Sequence, residues 1–500
     1  MTRLPQRELI VILESAVALG LNELPDAVPE VERLADRVAE SAGILRPGFR
    51  RPSVRARERQ PLDFLPARKD EATRPLHDLS AFFRVEAEDD RLEELAERIR
   101  ETPGVLAAYV QPFTELPISE PPNINHMLPS PVTPPQNTPD FSDRQVYLNA
   151  APDGIDAHVA WAISGGRGEG VQIIDIEWAW NLTHENLVDQ DVPIFGGAPR
   201  YPSVQGGKEG RNHGTAVMGV TSAAHNGFGV KGICPAAHVQ TITNIGGLGS
   251  GEVILMAAEM LNPGDILILE MHRPGPRVNF TPLPNSQRGF IAVEWWDYDL
   301  VAIQYAVSRG IIVVEAAGNG SENLDSPLYD SNPLGFPSSW QNPFRRNAVD
   351  SGAILVGAGA PPPGTHGSDY GPARSRLDFS NFGSSIDAQG WGREVTTCGY
   401  GDLQGGAIAE DKWYTDEFAG TSSATPIVAG ALACVQGVRK AYGRAPCTPA
   451  QLRNLLRQYT GTPQQDGPTD STGAIIRPKT ERIGHLPDLR LLIIEALNLP

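Results

Sequence analysis

Residues 420–426 read Gly-Thr-Ser-Ser-Ala-Thr-Pro, and this short stretch decides how the 500-residue chain is interpreted. Its serine, Ser422, follows a glycine-containing turn and opens a long apolar, helix-like segment. Free backbone N–H groups and the helix dipole at such an N-terminus favour negative charge that develops near the hydroxyl. The stretch therefore predicts that Ser422 is a nucleophile placed at the start of a helix.

Three upstream segments supply the other residue types that such a nucleophile needs. Residues 170–175 form a short apolar run that ends in Asp175, at the strand end where active sites of α/β proteins lie. In residues 212–219, His213 opens a predicted helix, and Asn319 follows an apolar strand. Each residue alone has an ordinary interpretation as a cap or turn residue. Together and in order, they predict a catalytic site.

These segments resemble the signature motifs of the subtilase family of serine peptidases, in the family's order Asp, His, Ser. The resemblance covers roughly residues 154–443. It implies that Asp175, His213 and Ser422 form a catalytic triad and that Asn319 supplies an oxyanion-hole donor. It also implies a hydrolase, a serine endopeptidase that cleaves extended polypeptides through an acyl-enzyme.

The apolar runs predict an α/β, subtilisin-like core with a doubly wound parallel sheet. Short strands are expected at 171–174, 266–269, 311–314 and 354–356, alternating with helices. The first hundred residues instead alternate as β-α-…-β-α-β, which predicts a small α+β domain of ferredoxin-like type. Nine prolines between residues 112 and 139 mark a linker. We predict an N-terminal domain at 1–115, a linker at 116–140 and a peptidase domain at 141–500.

The N-terminal domain resembles the inhibitory prodomain of subtilases, which assists folding and then blocks the cleft. The resemblance implies a zymogen-like precursor whose N-terminal domain stays bound in cis as an inhibitor. Cleavage would then fall between about Thr114 and Arg144. The alternative is an accessory interaction domain that remains attached, because the fold pattern alone does not separate the two.

Other segments resemble the substrate-binding parts of the family. Residues 246–251 resemble the edge strand that pairs with extended substrate. Residues 269–274 and the strand before Asn319 stand where the family lines its specificity pocket. The resulting substrate-binding candidates are Gly247, Leu248, Gly249, Ser250, Gly251, Glu270, Met271, His272, Ala316, Ala317 and Gly318.

The chain also departs from the family pattern. Ile176, Glu177 and Trp178 follow Asp175 where the family has Thr-Gly, so the backbone near that carboxylate can differ. Glu270 and Glu315 replace small residues. One hypothesis is that these two carboxylates form an acidic pocket for an Arg or Lys of the substrate. The alternative is that they make buried structural contacts with Arg or Trp side chains.

Composition limits the partners. Sixty acidic and 42 basic side chains give a net charge of −18, which opposes binding to nucleic acid or to an anionic membrane. The four cysteines lack metal-site spacing, so no cofactor is predicted, and calcium is implied by the resemblance alone. Glu8 and Glu14 interrupt the first apolar stretch, so we predict no signal peptide and expect a cytoplasmic protein.

Two other functions stay open at this point. One is a subtilase-fold protein that binds peptides with little turnover, because the segment after Asp175 and the pocket are unusual. The other is an esterase that uses the same triad on small esters. A peptide-pairing edge at residues 247–251 would disfavour the esterase.

Overall fold

The computed structural model describes residues 7–14, 29–41, 43–49, 79–117, 137–188, 194–195, 207–245, 247–458 and 460–500. A small α+β unit at the N-terminus is followed by a larger α/β unit, as predicted. The exact domain limits stay a prediction, and most of the linker, residues 118–136, lies outside the described residues.

The N-terminal unit is an antiparallel sheet with two helices on one face. Its elements are, in chain order, β1 (Arg7–Leu13), α1 (Pro29–Ala39), β2 (Ile44–Pro47), β3 (Phe82–Glu86), α2 (Leu92–Arg100) and β4 (Val105–Pro112). The strand order is β2-β3-β1-β4. Because strand side chains alternate, Leu9 and Val11 pack against the two helices, whereas Ile10 and Ile12 pack against the larger unit. Both faces of the sheet are therefore packed against other parts of the protein.

The larger unit contains the remaining elements. Its helices are α3 (Ala157–Trp161), α4 (Gly207–Ser222), α5 (Ser250–Met260), α6 (Asp297–Ser308), α7 (Thr421–Ala441), α8 (Pro449–Arg457) and α9 (Leu489–Asn498). Its strands are β5 (Gln172–Glu177), β6 (Ile194–Phe195), β7 (His238–Thr243), β8 (Ile266–Leu269), β9 (His272–Pro274), β10 (Phe290–Ala292), β11 (Ile312–Ala316), β12 (Ile354–Gly359), β13 (Ala388–Trp391), β14 (Val395–Cys398), β15 (Tyr414–Phe418), β16 (Gly461–Thr462) and β17 (Leu486–Pro487).

Seven of these strands form one parallel sheet in the order β13-β12-β11-β8-β5-β7-β6. A parallel sheet must be covered on both faces. Helices α4 and α7 cover one face, and α5, α6 and the N-terminal sheet cover the other. Ile173 faces α4 and α7, so Asp175 and Glu177, which alternate with apolar residues along β5, point to that face as well.

Helix α7 is the central helix of the larger unit and carries Ser422 in its first turn. In the part of the chain that the structure describes, α7 alone is long and apolar enough to cross a membrane, but it is completely buried in the core. Its approach to the sheet depends on glycine, because a Cβ on Gly390 of β13 would lie 2.4 Å from the carbonyl oxygen of Ala424. Close packing therefore sets the position of the nucleophile.

The substitution Gly390→Ala tests this packing. The added methyl group would push β13 and α7 apart, so we expect the free energy of unfolding to fall by about 1–3 kcal/mol. Urea denaturation followed by circular dichroism measures the change. Ser471→Ala, at an exposed position, is the control and should stay within about 0.5 kcal/mol of wild type. Equal midpoints for the two variants would contradict the packing argument.

Candidate active site

Four elements bring the candidate catalytic residues together. Glu177 is the last residue of β5, His213 lies in α4, Asn319 follows β11, and Ser422 is the second residue of α7. Ser422 therefore sits at a helix N-terminus, as predicted. Helix α4 begins at Gly207, so the expectation that His213 opens its helix is wrong, and the imidazole projects from inside the helix.

The carboxylate at His213 belongs to Glu177. His213 Nδ1 lies 2.8 Å from Glu177 Oε1 and 2.9 Å from Glu177 Oε2. Asp175 Oδ2 instead accepts a hydrogen bond from Trp180 Nε1 at 2.8 Å, and Asp175 Oδ1 has no hydrogen-bond partner among the described residues. The structure thus corrects the predicted pairing of Asp175 with His213.

The positions of Asp175 and Glu177 along β5 explain why Glu177 meets His213. Asp175 and Glu177 project from the same face of β5, but Glu177 is two residues closer to the carboxyl end of the strand, where α4 passes. The sequence Asp175-Ile176-Glu177 already indicates two acidic residues on one face of the strand, since the strand continues through Ile176. Sequence reasoning stopped at the first acidic residue of the strand and so missed the second.

Burial controls the charge of this pair. It raises the pKa of Glu177 well above its usual value, and it lowers the pKa of His213 to about 3. Burial, together with the nearby Glu177 charge, also raises the pKa of Asp175. Burial in this closed site therefore disfavours the protonated imidazolium form of His213. Nε2 of His213 has no hydrogen-bond partner in the described part of the chain.

The site is closed by residues 114–117, which we call the docked segment. Its Glu115 pairs with His272 in antiparallel fashion, through Glu115 N to His272 O at 2.9 Å and His272 N to Glu115 O at 3.1 Å. Thr114 Oγ1 accepts a hydrogen bond from Asn244 Nδ2 at 3.0 Å. Ser422 Oγ donates to the carbonyl oxygen of Pro117 at 2.9 Å. An extended segment of the chain thus lies across the nucleophile.

Three polar atoms converge at the turn before α7. A Cβ built on Gly420 would lie 2.2 Å from Pro117 O, 3.0 Å from Ser422 Oγ and 3.3 Å from Asn319 Nδ2. The carbonyl oxygen, the hydroxyl and the amide nitrogen are therefore close neighbours. Thr421 N and Thr421 Oγ1 both donate to Asn319 Oδ1 at 2.9 Å, which turns the NH₂ group of Asn319 toward this point. The arrangement has the form of an oxyanion hole.

The expected pairing edge does not form at residues 247–251. Gly249 precedes α5, and Ser250 and Gly251 lie in its first turn, so the segment is not a strand. The Gly247 carbonyl accepts a hydrogen bond from Arg84, and Leu248 packs against the core beneath the N-terminal sheet. Gly246 lies outside the described residues.

The strand that pairs with the docked segment is β9. His272 of β9 and the preceding residue Met271 are both buried, and Met271 Sδ lies 3.3 Å from Asn244 Nδ2. Backbone pairing with an extended segment, which would disfavour an esterase, thus occurs at His272 and not at residues 247–251.

The predicted pocket lining beside Asn319 is filled. Ala316 and Ala317 are fully buried, and a Cβ on Gly318 would lie 2.8 Å from Asn381 Nδ2 and 3.2 Å from Phe290 O. Asn381 Nδ2 also donates to Ala317 O at 2.7 Å. The described residues thus leave little room beside Gly318 for a long substrate side chain.

Glu270 and Glu315 do not form the hypothesised acidic pocket. Glu315 pairs with Leu269 in the sheet, so it points to the face opposite Glu270. Glu315 Oε1 accepts a hydrogen bond from the backbone N–H of Glu294 at 3.1 Å, which also differs from the predicted Arg or Trp contact. Within the described residues, neither carboxylate oxygen of Glu270 has a hydrogen-bond partner. Burial, followed by the charges of Glu177 and Asp175, raises its pKa.

Calcium stays an expectation from the family resemblance alone. Among the described residues, no group of three or more His, Cys, Asp or Glu side chains could hold a metal ion.

The hydrogen bond at His213 can be tested without turnover. A proton held between Nδ1 and a carboxylate should resonate far downfield in ¹H NMR, because charge-assisted hydrogen bonds are short and strong. We expect Glu177→Gln to remove this resonance and Asp175→Asn, the matched control, to keep it. The opposite pattern would return the role to Asp175.

Comparison with known proteins agrees with the fold and the motifs. Residues 197–474 match the model of the subtilase family, which is more than half of the chain. His213, Asn319 and Ser422 lie within this range, and Glu177 precedes it.

Subtilisin amylosacchariticus of Bacillus subtilis subsp. amylosacchariticus is 27% identical over 316 residues, which cover 62% of this chain and 66% of that protein. Subtilisin Savinase of Lederbergia lenta is 25% identical over 313 residues, with 60% and 90% covered. The chain thus spans just under two thirds of the length of the first relative.

Fervidolysin from Fervidobacterium pennivorans, a keratinolytic enzyme related to subtilisin, has a similar solved structure. The TM-score is 0.52 at 17% identity, covering 99% of this chain and 61% of fervidolysin. At this identity the likeness concerns the fold alone. Because the family model matches more than half of this chain, the chain belongs to the subtilase family.

Proposed function

We propose that the chain is a serine endopeptidase with Ser422 as nucleophile, His213 as general base and Glu177 as the acid of the triad. The observation that carries this proposal is the convergence of Ser422 Oγ, Asn319 Nδ2 and a peptide carbonyl at Gly420. Family membership and the His213–Glu177 hydrogen bond support the same reading.

The reaction follows from these positions. A serine hydroxyl is a weak nucleophile, so His213 Nε2 accepts its proton as Oγ attacks the peptide carbonyl. Glu177 holds the imidazole through Nδ1 and stabilises the imidazolium that forms. Asn319 Nδ2 and the Ser422 backbone N–H bind the oxyanion. His213 then returns the proton to the leaving amine, and water releases the acyl group by the reverse path.

We also propose that the N-terminal domain inhibits this site in cis. The docked segment follows β4 after one residue and lies against Ser422, and both Ser422 and His213 are fully buried. In the docked state, the Ser422 hydroxyl donates to Pro117 O instead of to His213. A separate polypeptide substrate must therefore displace this segment before it can reach Ser422.

Buried polar contacts support the docking. Arg273 lies between Glu8 of β1 and Asp299 of α6, at 3.3 Å and 3.2 Å. Tyr298 N donates to Tyr109 Oη at 3.1 Å. Removing one partner of a buried ion pair costs several kcal/mol, so these contacts fix how the domain sits.

The docked segment indicates where the chain would cut itself. Pro117 presents its carbonyl to Ser422, so the bond from Pro117 to Ile118 is the one placed for attack. This bond lies inside the range between Thr114 and Arg144 that the linker suggested. The proposed product is an enzyme that begins at Ile118 and holds its own N-terminal domain.

Intact mass and N-terminal sequencing test self-processing. We expect the purified wild type to yield a fragment that begins at Ile118, because Ser422 faces the preceding carbonyl. Ser422→Ala is the control and should remain one chain of full length. Cleavage of both proteins at the same bond would assign the cut to another protease and would contradict the proposal.

The triad acid has a kinetic consequence. Replacing the triad carboxylate by its amide leaves the imidazole in the wrong tautomer, so we expect Glu177→Gln to slow self-cleavage by about 10⁴-fold. Asp175→Asn, which alters a side chain that does not touch His213, should change the rate by less than about tenfold. A loss in Asp175→Asn as large as that in Glu177→Gln would contradict the assignment.

The alternative function is peptide binding with little turnover, and the uncompensated carboxyl of Glu270 behind the triad favours it. A fluorophosphonate probe separates the two functions. Labelling of wild type but not of Ser422→Ala supports the peptidase, whereas a protein that binds peptide and stays unlabelled supports the alternative.

A further inference from the structure

Gln287 lies beside the site and belongs to none of the motifs of the sequence. It stands in the loop between β9 and β10, three residues before Phe290. Its Nε2 donates to the carbonyl oxygen of Leu116 at 2.7 Å. Its Oε1 accepts a hydrogen bond from Asn319 Nδ2 at 3.0 Å. One side chain therefore connects the docked segment with the oxyanion-hole donor.

We propose that Gln287 is a substrate-binding and positioning residue of the peptidase. It binds the backbone carbonyl one residue before the carbonyl that Ser422 attacks, and it orients the amide of Asn319. The inference rests on the proposed function, since it takes the docked segment as the pattern for a bound substrate.

The numbers of hydrogen-bond donors and acceptors on Asn319 are consistent with this role. Asn319 Oδ1 already accepts two hydrogen bonds from Thr421, which fixes the plane of the amide. Asn319 Nδ2 has two hydrogens, so one can bind Gln287 while the other remains for the oxyanion. The amide of Gln287 accepts from Asn319 through Oε1 and donates to Leu116 O through Nε2 at the same time.

Both hydrogen bonds of Gln287 are made to buried groups, so losing either one is costly. Leu116 is 1% exposed and Asn319 is 3% exposed, while Gln287 itself is half-buried. If Gln287 lost its amide, the Leu116 carbonyl would remain buried without this donor, which is costly. The contact is made to a backbone carbonyl, so it serves any extended peptide regardless of its side chains. A small substrate without that carbonyl cannot use it.

The test compares Gln287→Met with wild type in the full-length protein. Methionine keeps the volume and removes both hydrogen bonds, each worth a few-fold to about tenfold, so we expect self-cleavage to slow by roughly 10- to 100-fold. Gln304→Met is the matched control, because Gln304 is also half-buried and donates to a backbone carbonyl, that of Asp350. It should cleave like wild type.

Three further measurements separate substrate contact from a general structural effect. The rate of labelling by a small fluorophosphonate, after self-cleavage, reports the oxyanion hole without the Leu116 carbonyl, so Gln287→Met should lower it less than it lowers peptide cleavage. Gln287→Glu keeps an acceptor for Asn319 but has no donor for Leu116 O, so it should also cleave slowly. Thermal unfolding in a Ser422→Ala background shows whether either substitution disturbs the fold.

The outcomes are distinct. Wild-type rates for Gln287→Met would overturn the role of Gln287 and leave the proposed peptidase intact. Equal losses in peptide cleavage and probe labelling would overturn the contact with Leu116 O, and equal loss in Gln304→Met would overturn any specific role. A wild type that neither cleaves nor labels would overturn the proposed function, and the inference with it.

Discussion

The hydrogen bond between His213 Nδ1 and the Glu177 carboxylate is the interaction on which the site depends. It joins α4 to the end of β5, where both side chains are fully buried, so breaking it would leave a buried imidazole N–H and a buried carboxylate oxygen without this partner. The sheet must therefore present a carboxylate at its rim, and α4 must lie close enough to meet it. The longer side chain of glutamate reaches the imidazole from the last position of the strand.

Much of the fold and part of the site could be predicted from the sequence. Apolar runs gave the parallel strands, and the helix start after Gly420 placed Ser422. The triad acid could not be decided in the same way, because Asp175 and Glu177 share one face and differ only in depth along the strand. Gln287 carried no signal, since its role depends on a loop that returns from β9 to the site.

The predicted substrate-binding residues differ from the structure for another reason. Residues 247–251 are rich in glycine, which is compatible with an edge strand and with a turn into a helix, and packing selects the second. Glu270 and Glu315 both replace small residues, which suggests one acidic pocket as a hypothesis beside that of buried structural contacts. Only the register of β8 with β11 shows that they point to opposite faces. The register of two strands cannot be predicted from residue type or from distance along the sequence.

The packing of both faces of the N-terminal sheet has a consequence for the domain if it separates. Its helices cover one face, and the larger unit covers the face that carries Ile10, Ile12 and Tyr109. A domain separated from its partner would expose that second face to water, and exposed apolar patches favour aggregation and proteolysis. Release would therefore shorten the lifetime of the separated domain, so that its departure is practically one-way.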